Sequence, residues 1–143
     1  IYFFRVQTLI KKNSNGVSKI ISDCFKKNKI EKICAIIEKV FSIKLSDFDF
    51  VISAVGTVPE KIDRHELAIA SSILTAYYQK IVRDCYFYGD ISLSGDVIPE
   101  ILSDQAIKHI SCKMNLSIFA NMNHFMGSIN KVNSLKDLTS LYK

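Results

Sequence analysis

From Asn28 the apolar residues of this chain change their period. Ile30, Ile33, Cys34, Ile37, Val40 and Phe41 fall at i, i+3, i+4, i+7, i+10 and i+11, a single stripe along an α-helix. Lys29, Glu31, Lys32, Glu38 and Lys39 take the other faces. A helix of this kind forms only where its stripe packs on something else. Asn28 is expected as its N-cap, with Glu31 three residues on completing a capping box.

The segments around the helix read as strands. Tyr2 to Ile10 is rich in aromatic and β-branched residues, with Arg5 and Gln7 alternating against Phe4, Val6 and Thr8. A polar turn from Lys11 to Gly16 leads to a second strand at Val17 to Phe25, and this pair predicts a hairpin. Further on, a strand is expected at Phe48 to Val55, closed by Gly56. A loop with Pro59 follows, and then a helix over 64–80. Tyr86 to Tyr88 and Ile91 to Leu93 flank Gly89-Asp90, and Ser94-Gly95-Asp96 turns into Val97-Ile98-Pro99. A helix over 101–114, a strand over 116–120 and a C-terminal helix capped by Ser134, with Asp137 in its first turn, complete the chain. The order β-β-α-β-α-β-β-α-β-α describes an α+β layered domain. No linker, repeat or low-complexity segment divides residues 1–143, so one domain is expected.

Composition narrows the classes. Hydrophobic residues make up 48% and charged ones 23%, which excludes a disordered chain. Five Gly and two Pro exclude collagen-like and loop-dominated architectures. No apolar run approaches the roughly 18 residues of a membrane helix, so no membrane partner is expected. The chain opens on Ile1 rather than Met, and a piece of a longer protein is the expectation.

Most chemical motifs are missing. There is no phosphate-binding G-x-x-x-x-G-K-(S/T) loop, no G-x-G-x-x-G and no G-x-S-x-G elbow. Cys24, Cys34, Cys85 and Cys112 include no C-x-x-C pair, and free buried thiols in a reducing cytoplasm are expected. His65, His109 and His124 have no metal-ligand spacing. His65 reads as a surface histidine and His109 as a helix-face residue.

Net charge is +5, from 19 basic and 14 acidic residues. The densest basic cluster is Lys26, Lys27, Lys29 and Lys32, joined in sequence by Lys11, Lys12 and Lys19. A β-hairpin and a helix start could present these lysines to phosphates. A solvated rim is the alternative. No platform of exposed aromatics for base stacking is expected.

One segment is more specific. Tyr86-Phe-Tyr-Gly-Asp-Ile-Ser-Leu-Ser-Gly-Asp-Val-Ile-Pro99 resembles the F-G-E-(I/V)-(G/S)-L-(A/S)-G-E-V-R-P segment of the Lon-protease-like domain that closes bacterial RadA (Sms) DNA repair proteins. Arg5-Val-Gln-Thr-Leu-Ile10 is similar to that family's E-V-Q-A-L-V strand. Ile36-Ile-Glu-Lys39 resembles its L-E-K helix ending, and Leu45-Ser-Asp-Phe-Asp-Phe-Val51 its L-x-x-x-D-V-(F/Y) entry. Glu66-Leu-Ala-Ile69 matches D-L-A-(I/V). These matches run in order over residues 5 to 108. Departures are Gly56-Thr57 for Gly-Gly, Ile62-Asp-Arg-His-Glu66 for E-P-A-A-D, and Ile98 for the arginine of V-R-P.

The resemblance implies a ribosomal protein S5 domain 2-like fold, as in Lon proteolytic domains, with a first strand lying before Ile1. It places Arg64 where a Lon peptidase has its serine nucleophile, and Asp104 where it has its lysine. Neither can serve in that serine–lysine dyad, so no catalytic residue is expected. Gly56, Gly89, Asp90, Gly95, Asp96 and Pro99 become structural turns. Lys11, Lys12, Lys19, Lys26, Lys27 and Lys29 become the DNA-binding candidates. No metal or cofactor is expected in this chain. ATP, magnesium and zinc are implied for N-terminal regions of the parent, as are DNA recombination and branch migration on duplex or branched DNA. A hexameric ring and a cytoplasmic location are implied as well. Two other readings stand beside this one. The first is a Lon-type ATP-dependent serine peptidase fragment using Ser71 or Ser72 with Lys108; the second is an interaction module that binds protein through its sheet face.

Overall fold

The computed structural model describes residues 4–56, 58, 62, 64–99, 105, 117–122 and 129–142. They form a mixed α+β structure. Strand β1 is Phe4–Lys12, β2 Ile20–Ser22, helix α1 Lys27–Phe41, β3 Phe48–Gly56 and α2 Glu66–Tyr78. Then come β4 Cys85–Tyr88, β5 Ser117–Ala120 and β6 Ile129–Lys131. A 3-10 turn at Leu135–Leu138 runs into the short helix α3, Thr139–Tyr142. The helix expected over 101–114, with His109 and Lys108, lies outside the described residues except for Gln105, as does His124. No helix among the described residues is long and apolar enough to cross a membrane.

The expected hairpin does not form. The first sheet has the order β1-β3-β2: β3 pairs antiparallel with β1 and parallel with β2. Over its whole length β3 finds a nine-residue partner in β1, from Phe4↔Gly56 to Lys12↔Phe48. The segment after the turn is captured by local polar contacts instead. Asn13 Nδ2 donates to Val17 O and Ser46 O, and the Asp49 carboxylate accepts from the Lys19 N–H at 2.8 Å. Only Ile20–Ser22 is left to pair, so the strand expected over 17–25 shrinks to three residues. The second sheet, β4-β5-β6, is parallel throughout. The expected strand at 91–93 is reduced to a single antiparallel bridge, Ile91↔Val97.

Helix α1 carries the stripe read from sequence: Ile30, Ile33, Cys34, Ile37 and Phe41 are all buried. Its start differs. Lys26 occupies the N-cap with no side-chain capping bond, and Asn28 lies inside the first turn. The turn before it, closed by Phe25 N–H on Ser22 Oγ, brings the chain into helical geometry early enough for Ile30 to reach the core. Helix α2 is shorter than the expected 64–80, because Arg64 and Gln79 both take left-handed backbone conformations at its ends. At the C-terminus the reading holds. Ser134 and Asp137 form a reciprocal capping box around the 3-10 turn.

The core lies between the first sheet and the two long helices. Phe50 and Ile52 of β3 share one buried cluster with Ile33 and Ile37 of α1 and Leu67, Ile73 and Leu74 of α2. Ser72 ties α2 to β1 through Thr8 Oγ1 at 2.8 Å and Val6 O at 3.2 Å.

The segment from Gly89 to Pro99 joins these parts. Gly89 N–H donates to Arg64 O, Gly89 O accepts from Leu67 N–H, and Gly95 O accepts from Leu135 N–H. Val97 N–H reaches Asn133 O, and Asn121 Nδ2 reaches Val97 O. Gly95 has φ +91°, and a Cβ there would lie 2.8 Å from Val40 Cγ2 of α1. Gly95→Ala is therefore expected to cost about 1–3 kcal/mol through backbone strain and overpacking. Urea unfolding checks this: an unchanged midpoint would mean that α1 yields without cost.

Candidate nucleic-acid interface

The register divides the lysines proposed for DNA contact into two groups. Lys11 and Lys12 stand opposite Asp49 and Phe48, and the Lys19 amide is bonded to Asp49. These three gather where β3 begins. Lys26, Lys27 and Lys29 lie beyond the other end of β2, on the first turn of α1.

That first turn has an unusual charge arrangement. The N-terminal pole of a helix is positive and favours acidic side chains. Here the first turn has no acid and no side-chain cap, and three lysines crowd it. Lys27 reaches Glu31 at 3.9 Å, with both side chains more than half exposed. Lys26 and Lys29 make no ion pair among the described residues. Each cation at this pole costs a few tenths of a kcal/mol, and an anion placed there relieves it. Chemically, the turn is suited to phosphate.

Lys32 is not available for that purpose. Its Nζ donates to Glu66 Oε2 at 2.9 Å, while Glu66 Oε1 accepts from the Ile91 N–H at 2.9 Å. The Glu66 side chain is 5% exposed. Burial alone would push its carboxyl up, but the Ile91 N–H, Lys32 and the nearby Lys29 outweigh it and hold the group below the usual carboxylate value. Two of the motif segments, 66–69 and 86–99, are thus joined by a single side chain. Nothing in the spacing of the sequence reveals this bond. The only signal was an acid at a helix start.

Arg64 precedes α2 with φ 51°, and its carbonyl accepts from Gly89 N–H. Asp104 lies outside the described residues. Ser71 is buried and bonded to the Tyr142 hydroxyl, and the Ser72 hydroxyl is held by β1. Both hydroxyls are engaged in hydrogen bonds within the fold. Among the turn residues, Asp90 Oδ1 accepts from the Glu66 N–H at 3.5 Å and Asp96 Oδ2 from Ser94 Oγ at 3.0 Å. Gly56 ends β3, and Pro99 is exposed.

Two expectations are corrected. His65 is buried, not at the surface: its ring stacks on Phe25 with centroids 5.3 Å apart, 15° from parallel. Nor are all the thiols buried, since Cys24 is exposed and Cys85 half-buried. Burial pushes Cys34 up to about 12, with Glu38 and Glu31 adding to it, so its thiol is inert. No group of three metal-ligating side chains forms among the described residues.

Comparison with known proteins gives the decisive observation. The chain is 25% identical over 100 residues to the DNA repair protein RadA of Treponema pallidum, covering 69% of this chain and 22% of that protein. It is 29% identical over 94 residues to the RadA of Helicobacter pylori strain J99, covering 65% of this chain and 21% of the relative. With the RadA of Listeria monocytogenes it shares 30% over 94 residues, 64% of this chain and 20% of that protein. The chain is similar to part of the DNA repair protein RadA. It spans about a fifth of the length of these RadA relatives. No family model matches.

Proposed function

We propose that this chain is the C-terminal Lon-like scaffold of a RadA-type DNA repair protein, noncatalytic by itself, which meets DNA through the first turn of α1. The observation that carries this reading is the similarity to RadA over about a fifth of its length. The uncapped, lysine-rich helix start supports it. Arg64 at the nucleophile position and the occupied hydroxyls of Ser71 and Ser72 speak against a peptidase. In the parent protein, ATP with magnesium and a zinc-bearing segment would belong to other regions. Branch migration on duplex or branched DNA, a hexameric ring and a cytoplasmic setting complete the proposal.

Lys26 and Lys27 make the test. Reversing both, Lys26→Glu with Lys27→Glu, is expected to weaken binding of the chain to duplex DNA at low salt by ~10-fold or more. It should also flatten the salt dependence by roughly 0.9 in log–log slope for each phosphate that is no longer neutralised. Fluorescence anisotropy with labelled duplex measures both quantities. Binding that is undetectable in the unaltered chain, or indifferent to the reversal, removes DNA contact from the proposal.

A further inference from the structure

Among the described residues, helices α1 and α2 pack on one face of the first sheet and leave the other open. On the open face the register sets Leu9 of β1, Val51 of β3 and Ile21 of β2 side by side, one row across all three strands. These residues are 69%, 42% and 50% exposed, and Val55, at 51%, lies farther along the same face of β3, beyond Ser53. An antiparallel strand with one wet face ordinarily alternates apolar inward with polar outward. Here aliphatic side chains occupy outward positions that the core does not use. Single exposed aliphatics are ordinary, whereas a contiguous patch rimmed by polar groups marks a contact surface.

The rim indicates what kind of contact. Arg5 stands opposite Val55, Lys11 follows Leu9 on the same face, and Lys19 precedes Ile21 in the same alternation. None of the three makes an ion pair among the described residues. Two acids lie nearby, Asp49 accepting from the Lys19 N–H and Asn13 Nδ2 and Asp23 from Ser53 Oγ. These donors are neutral and leave both carboxylates charged, so three cations against two acids give the rim a small positive excess.

A second copy of the chain fits poorly, because a two-fold axis along β3 lays Lys11 over Lys19 of the other copy. Four aliphatic side chains also fall short of the ~800 Å² per partner of a stable dimer. Duplex DNA matches the cations and leaves the aliphatic row without apolar cover. We propose that this face docks a polypeptide segment whose aliphatic side chains are flanked by aspartate or glutamate. The proposal does not depend on the DNA reading, which concerns the first turn of α1.

The probe is a synthetic peptide alternating Leu and Glu, titrated into the isotope-labelled 143-residue chain and followed by amide chemical shifts. A Leu–Lys peptide of equal length serves as control and a DNA duplex as rival. The expected result is shifts concentrated at 5–11, 20–23 and 49–55 with the acidic peptide alone. Val51→Asp and Leu9→Glu should each weaken that binding about ten-fold. Leu9 is exposed, on a strand at the edge of the described sheet, so Leu9→Glu should keep the parent's melting midpoint, which separates a docking defect from a folding defect. The proposal fails if the face does not respond, if the Leu–Lys peptide binds as well, or if the duplex shifts the same row. A concentration-dependent dimer abolished by Val51→Asp would also overturn it, by assigning the face to a second copy.

Discussion

Glu66→Ala is expected to cost about 3 kcal/mol, the lower end of the ~3–5 kcal/mol for breaking a buried ion pair. The lower end applies because Lys32, left without its partner, is 37% exposed and can turn its ammonium to water. The loss also strips the Ile91 N–H of its acceptor, and an unsatisfied buried donor adds its own penalty. Against a typical total of ~5–15 kcal/mol this is a large fraction. Chemical denaturation of the two proteins at neutral pH measures it directly.

The same residue sets an acid limb. The folded-state carboxyl titrates below its unfolded value of about 4.5. Its contribution is therefore fully present above pH 4.5 and is lost as pH falls through the lower folded value. Glu66→Gln cannot titrate. Its melting midpoint should start below that of the parent at neutral pH, and the gap should close on acidification. A gap constant across that window would show that the Lys32–Glu66–Ile91 arrangement contributes through shape alone.

Tyr142→Ala is expected to cost about 3–5 kcal/mol, as for other fully buried aromatic side chains. Tyr142 is 1% exposed and stacks on Tyr78 with centroids 6.3 Å apart. Its hydroxyl donates to Ser71 O at 3.0 Å and accepts from Thr75 Oγ1 at 3.1 Å. Tyr142→Phe keeps the ring and strands those polar partners in α2, so about 1–2 kcal/mol is expected from that change alone. Comparing the two variants by calorimetry separates packing from hydrogen bonding. Equal losses would mean that the ring contributes little and the hydroxyl is the anchor.

Local periodicity made some of this fold readable and long-range pairing concealed the rest. The α1 stripe, strand β3 and the Ser134–Asp137 cap depend on neighbours within a few residues, and each stands where the sequence predicts it. The order β1-β3-β2 depends on a strand that begins some 35 residues after β1 ends, which no hairpin signal can anticipate. Strand β6 is Ile-Asn-Lys, too short to show alternation. His65 reads as solvent-facing because it is a lone histidine at a helix start, and it is buried because Phe25 comes back to stack on it. At the candidate site the lysines were visible as a cluster. Their division by the sheet register, and the removal of Lys32 by Glu66, are tertiary facts.

The central place of β3 has a consequence for the chain as it is made. During synthesis β1 emerges before β2, and in the folded sheet neither pairs with the other. Each waits until Phe48–Gly56 has left the ribosome, and the nine-residue β1 then meets its partner across a large loop. Such late, non-local closure slows folding. Through that interval Val6, Leu9 and Ile10 lack the β3 partner that they have in the folded sheet, and backbone left without its partner invites intermolecular strand pairing. Arg5, Lys11 and Lys12 flank them on both sides, the placement of like charges that opposes pairing between neighbouring chains.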